Sequence, residues 1–128
     1  MRRIFVLGAI AALCAASAPA QAADGQKLFL DNCAACHRPN GVGVPGAFPA
    51  LAGSKLAVGD PKEPIGRVLN GKGGMPSFKT GLSDADVAAV LTYVRSSWGN
   101  KAKPIAATQV ASIRGGGASS AKTALQAH

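Results

Sequence analysis

The chain has 128 residues, 14 Lys or Arg against 6 Asp or Glu, and among its aromatics only 4 Phe, 1 Tyr and 1 Trp. That is enough for one small domain with little aromatic bulk for a core. A formal charge of +8 points to an acidic partner or an anionic surface. Nucleic acid is disfavoured, because basic and aromatic residues do not interleave and no recognition motif for it occurs.

Residues 1–22 have the form of a secretory signal peptide. Arg2 and Arg3 give a positive start, Ile4 to Ala16 is almost wholly apolar, and Ala18 to Ala22 offers small residues for cleavage. Ala20-x-Ala22 places the cut before Ala23, with a cut after Ala20 as the alternative. The apolar run is shorter than the roughly 20 residues a spanning helix requires, which argues against an uncleaved anchor. Cys14 lies inside this run, but Leu13 stands where a lipidation site needs a small residue. Export places the mature chain in an oxidising compartment outside the cytoplasm, and no transmembrane anchor is expected in it. Losing Arg2 and Arg3 leaves 12 basic residues against 6 acids, a charge of +6 over 106 residues, and leaves Cys33 and Cys36 as the only cysteines.

The mature elements follow in order. Gly25 to about Arg38 predicts a first helix with Asp24 as its N-cap. Asn40 to Gly59 is rich in Gly and Pro and predicts loop. Pro64 to Asn70 predicts a short helix, with Pro64 in its first turn and Ile65, Val68 and Leu69 on one apolar side. Gly71-Lys72-Gly73-Gly74-Met75-Pro76 excludes regular structure. Ser83-Asp84-Ala85-Asp86 resembles a capping box with Asp in place of Glu or Gln. Val87, Val90, Leu91 and Val94 then recur at i, i+3, i+4 and i+7, predicting an amphipathic helix to about Trp98, stopped by Gly99-Asn100. Thr108 to Arg114 predicts one short helical turn, and Gly115 to Ser120 a flexible tail. No strand alternation or internal repeat is present. The fold class is therefore all-α, with residues 23–100 as the domain and 101–128 as a partly flexible C-terminal extension.

The chemistry concentrates at Cys33-Ala34-Ala35-Cys36-His37. This Cys-x-x-Cys-His pattern is the attachment signature of haem c. Two thiols add across the vinyl groups of the macrocycle, and the adjacent imidazole reaches the iron. His37 is the expected proximal ligand. Met75, 39 residues after Cys36, is the only methionine left after signal removal. It sits on a loop with three glycines, whose backbone can lie against a flat macrocycle, and Pro76 restricts the turn behind it. Met75 is the expected second axial ligand. The alternatives are a core-filling role for Met75 and His128 as ligand, which requires ordering the tail. Thioether sulfur favours Fe(II) and raises the potential, and two filled axial sites leave no vacancy for oxygen or peroxide. This favours one-electron transfer over catalysis, so no catalytic residue is expected.

With these motifs in order, the chain resembles the class I cytochromes c of bacteria. The resemblance runs from about Asp24 to Trp98. It rests on Gly25-x-x-x-Phe29 before the haem motif, Phe48-Pro49-Ala50-Leu51-Ala52-Gly53 after it, Met75-Pro76-Ser77-Phe78, and Val90 and Tyr93 in the last helix. It implies a small cytochrome c fold of three to five helices around one covalently bound haem c. The first and last helices would cross with Gly25 at the close contact, Phe29 meeting Val90 and Tyr93. The carbonyl of Pro49 would accept a hydrogen bond from His37 Nδ1, and Leu51 would pack against the haem. The stretch from Leu82 to Asn100, and Thr108 to Arg114 beyond it, is also similar to haem domains of dehydrogenase and oxidase cytochrome subunits, although many of the former carry several haem motifs.

The leading expectation is thus a soluble periplasmic electron carrier of the respiratory chain. Its partners would be a dehydrogenase, a cytochrome complex or a terminal oxidase, with an acidic docking face. The first alternative is a cytochrome subunit, or dedicated electron acceptor, of a periplasmic dehydrogenase. A haem sensor or peroxidase-like enzyme would need an open iron site. A zinc module would use Cys33, Cys36 and His37 but lacks a well-placed fourth donor. A thioredoxin-type dithiol would need a βαβ context that is missing.

Overall fold

The computed structural model describes residues 23–125, and the expected signal peptide and His128 lie outside them. Six helices occur among the described residues: α1 Gly25–Asn32, α2 Ala34–His37, α3 Lys55–Val58, α4 Lys62–Asn70, α5 Asp84–Ser96 and α6 Ala107–Leu125. No sheet forms there. Two isolated antiparallel bridges, Val44 with Phe48 and Lys72 with Met75, close tight turns. The all-α expectation holds. The helix number exceeds it because α2 and α3 are single turns of four residues. No described helix is long and apolar enough to cross a membrane.

The Asp24 side chain accepts from Lys27 N at 3.1 Å and starts α1. The spacing predicts one helix from Gly25 to Arg38, but the chain breaks at Cys33, whose φ of −121° lies outside the helical range. Cys33 N–H still closes on Phe29 O, and His37 N–H on Cys33 O, both at 2.9 Å. The break starts a new turn at the haem motif, and Arg38, with φ 65°, ends it.

α1 packs against α5, and the crossing is tight. A Cβ built on Gly25 would lie 2.2 Å from Ala89 O, so no larger residue fits. One turn on, Phe29 is fully buried. Its ring centroid lies 5.5 Å from Tyr93 and 5.1 Å from Trp98, and those two meet edge-on at 5.6 Å. Burying such a ring contributes about 1.5–3 kcal/mol. Tilted aromatic pairs add about 0.5–1.5 kcal/mol each. Val87, Val90, Leu91 and Val94 form the buried face of α5, as their spacing predicts. The capping box is complete: Ser83 Oγ accepts from Asp86 N, and Asp86 Oδ2 accepts from Ser83 N, each at 3.1 Å. α5 ends at Ser96 rather than Trp98, since Trp98 takes φ 54° and turns its ring back onto Phe29.

α4 begins two residues before Pro64, with Asp60 Oδ1 accepting from Lys62 N at 2.9 Å. Ile65, Val68 and Leu69 are buried. Gly71, at φ 70°, stops the helix, and a Cβ there would meet Met75 O at 2.5 Å. The backbone must fold back at this point for the methionine loop to form.

Packing does not stop at the boundary expected at residue 100. Asn100, Ile105 and Val110 are buried. Arg95, only 3% exposed, donates to the carbonyls of Lys103, Ala57 and Gly59. The single turn expected at 108–114 is a longer helix, running from Ala107 to Leu125 through the glycine run that predicts a tail. Val110 is fully buried and Ile113 packs on the core, so tertiary contact nucleates the helix. Propagation then tolerates glycines, each costing about 1 kcal/mol relative to Ala.

Gly25→Ala is expected to destabilise the folded protein by about 1–3 kcal/mol, because the methyl group overpacks a backbone contact. Denaturant unfolding of the haem-loaded protein measures it.

Candidate haem site

The break at Cys33 sets the haem motif at the mouth of a cleft. Two adjoining cavities, of about 160 and 200 Å³, share Cys33, His37, Pro49, Arg67 and Met75 in their walls. Cys36, Phe48, Lys72 and Pro76 line the first. Phe29, Leu51, Leu56, Val68, Val90 and Leu91 line the second. Thus the structure brings the expected Cys33, Cys36, His37, Pro49 and Met75 around one space, with Leu51 on its apolar side. A larger hollow of about 690 Å³ lies elsewhere, near Gly53 and Lys103. There Arg95 and Asn100 direct their hydrogen bonds to the protein backbone.

His37 is 9% exposed, and its Nδ1 lies 2.8 Å from Pro49 O. A carbonyl oxygen only accepts, so Nδ1 carries the proton and donates. That leaves the lone pair of a neutral imidazole on Nε2, the state a metal ligand requires. The loop carrying Pro49 is tied down on several sides. Gly43 N donates to His37 O at 2.9 Å, and Leu51 N to Gly41 O at 2.7 Å. Asn100 reaches across, donating to Leu51 O at 3.1 Å and accepting from Gly53 N at 2.8 Å. Trp98 Nε1 donates to Pro39 O at 3.2 Å.

Met75 is half-buried and packs on the core. Its N–H and carbonyl pair with those of Lys72, both at 3.0 Å. Beyond it, Ser77 Oγ donates to Leu69 O, and Phe78 N donates to Val68 O at 2.9 Å. Both strands of the methionine loop are therefore fastened to the end of α4.

The donor set suits a haem better than zinc or a dithiol centre. No group of three or more His, Cys, Asp and Glu is arranged to hold a metal ion among the described residues. Cys33 and Cys36 are not joined by a disulfide. Burial pushes the Cys33 thiol up to about 11, and Cys36 adds in the same direction. At neutral pH Cys33 is thus a thiol, whereas a redox dithiol needs a lowered value. An apolar cleft with two cysteines on one wall and imidazole and thioether donors around it fits a flat, apolar macrocycle with an iron centre.

The sequence does not single out Arg67, Trp98, Asn100 or Arg114. Arg67 is half-buried, lines both cavities, and makes no side-chain hydrogen bond or ion pair among the described residues. It lies between Ile65 and Val68 on α4, and local pattern carries no sign of its role. Asn100 looks like an ordinary helix stop.

Comparison with known proteins supports the same chemistry. Residues 20–94 match the family described as cytochrome c oxidase, cbb3-type, subunit III. The chain is 35% identical to cytochrome c-552 of Thermus thermophilus over 72% of its own length and 85% of that protein. It is 46% identical to cytochrome c6 of Leptolyngbya boryana over 59% of its length and 91% of that protein. It is 34% identical to the cytochrome c subunit of the quinone-type alcohol dehydrogenase of Gluconobacter oxydans (strain 621H), over 73% of this chain. The chain spans less than a quarter of the length of such alcohol dehydrogenase subunits, 22–23%. With more than half its residues matched, the chain belongs to the c-type cytochrome family described as cytochrome c oxidase, cbb3-type, subunit III.

Proposed function

We propose that the chain is a one-electron carrier of the bacterial periplasm, holding a single covalent haem c with His37 and Met75 as axial donors. The observation that carries this is the convergence of Cys33, Cys36, His37 and Met75 on one apolar cleft, with His37 already oriented by the Pro49 carbonyl. Bound there, a haem supplies a one-electron Fe(III)/Fe(II) couple. Cys33 and Cys36 would hold the haem through thioethers, each S–H adding across a vinyl double bond with sulfur on one carbon and hydrogen on the other. His37 Nε2 and the Met75 sulfur would be the iron donors, and the thioether would favour the reduced state. Leu51 and the buried face of α5 exclude water. Arg67, outside the ion pairs found among the described residues, would counter the acidic groups of a bound haem. With both donors engaged, the site would serve as a carrier rather than an enzyme.

Residues 1–22 serve as the export signal and 23–100 as the haem domain. Residues 101–128 form an extension whose first part packs on that domain. Lys55, Lys72 and Lys79 are exposed. They are outside the ion pairs found among the described residues, Lys27–Asp31 and Arg114–Asp84. They provide long-range steering toward an acidic redox partner, while Phe48 and Leu56, 37% and 36% exposed, offer a small apolar contact. A second reading is favoured by similarity to the cytochrome c subunits of alcohol dehydrogenase (quinone) and gluconate 2-dehydrogenase. In that reading the chain is a subunit or dedicated acceptor of a periplasmic dehydrogenase. Size-exclusion of native extract followed by haem staining separates a free carrier from a bound subunit.

Denaturing electrophoresis is expected to keep the colour with the polypeptide. Complete extraction of the haem by acidified organic solvent would rule out attachment through Cys33 and Cys36. Met75→Ala is expected to let the reduced protein bind carbon monoxide and to lower its midpoint potential. An unchanged spectrum and potential would remove Met75 as ligand and promote His128. The rate of reaction with an acidic redox partner is expected to fall as ionic strength rises past about 0.1 M, where the Debye length is about 10 Å. Reversing the charges of Lys55, Lys72 and Lys79 together should slow the reaction and flatten that dependence. Indifference to both would mean apolar docking and favour the dedicated-partner reading.

A further inference from the structure

Arg114 lies on α6, beyond the residues that match the family. Its guanidinium nevertheless reaches back some thirty residues to the segment that follows the methionine loop. Nε donates to Asp84 Oδ1 at 2.6 Å, Nη2 to Leu82 O at 2.9 Å, and Nη1 to Lys79 O. The two carbonyls bracket the stretch between Lys79 and the cap of α5. Asp84 fixes the direction of approach as the first residue of α5. Within the loop, Met75 pairs with Lys72, and Ser77 and Phe78 are bonded to Leu69 and Val68 at the end of α4. Arg114 is itself held in place, because Val110 one turn before it is fully buried and Ile113 packs on the core.

We infer that Arg114 is a positioning residue for Met75: it clamps residues 79–84, so that the methionine loop cannot swing away from the cleft. The inference rests on the reading of Met75 as an axial donor. Loop opening requires the chain to move between two fixed ends, the turn at Gly71 and the start of α5. Three charge-assisted hydrogen bonds tie the segment behind Phe78, so displacement of residues 79–84 cannot pull Ser77 and Phe78 off their bonds to α4. A guanidinium suits this task because its planar fork serves several acceptors at once, whereas an ammonium is a single point. Arg114 is partly exposed, with its side chain at 23% and that of Asp84 at 36%. Its contribution therefore falls at the low end for hydrogen bonds to a charged group.

The test is imidazole binding to the purified, haem-loaded ferric protein, followed by absorbance, because imidazole binds the iron only when Met75 has left. Arg114→Ala is expected to bind imidazole about tenfold more tightly than the parent protein, and Arg114→Lys by an intermediate factor. Met75→Ala sets the upper limit. Asp24→Ala removes the α1 cap and lowers overall stability; it should leave imidazole affinity unchanged. If Met75→Ala binds tightly while both Arg114 variants match the parent, the positioning role is overturned and the ligand assignment stands. Should Met75→Ala also match the parent, both fall. An equal gain in Asp24→Ala overturns the inference as well, because general loosening would then explain the effect. If Arg114→Ala does not mature into holoprotein, Arg114→Lys decides the question alone.

Discussion

Where α1 crosses α5, the backbone of Gly25 lies against Ala89, and Phe29 is enclosed by Tyr93 and Trp98. The rest of the site is hung from this contact. Cys33 follows Phe29 by one turn and closes on its carbonyl. The orientation of the first helix therefore decides where the haem motif emerges. Trp98 serves twice, closing the aromatic cluster with its ring and holding the carbonyl of Pro39 with its indole nitrogen. A side chain at position 25 would push α1 outward and shift both cysteines relative to the wall formed by Val90 and Leu91.

Around that crossing, two loops with little regular structure carry Pro49 and Met75. Such segments hold a position only when their polar backbone groups find fixed partners. The first is held by His37, Gly41 and Asn100, and the second by the end of α4 and by Arg114. The same economy governs the cations. Arg95 and Arg114 are turned inward and satisfied by carbonyl oxygens, so they act as struts. Lys55, Lys72 and Lys79 are left exposed and supply the long-range field. Arg67 stands between these groups, half-buried, lining the cleft and outside the ion pairs found among the described residues.

Two segments illustrate how local pattern and tertiary contact divide the work. The start of α5 is legible because a capping box involves residues three apart, Ser83 and Asp86, and the structure has both of its bonds. The helix expected from Gly25 to Arg38 is legible only in part. Helical spacing does not register the break at Cys33, which reorients the motif within the packed body. At the other end, glycines at 115–117 predict a tail, yet the helix runs through them. Burial of Val110 and Ile113 nucleates α6, and no propensity scale contains that contact.

The sequence by itself determined the chemistry: two thiols and an imidazole at one helical turn, one methionine in a glycine loop, the helix starts, and the all-α class. Each of these depends on residue type and on neighbours within a few positions. Tertiary structure alone decided which groups meet across long separations. It closed Asn100 on Leu51, turned Arg67 toward the cavity, and carried Arg114 back to the segment behind the methionine loop. Those outcomes depend on how helices pack. A single-sequence pattern with a period of a few residues does not encode contacts made thirty or more residues away.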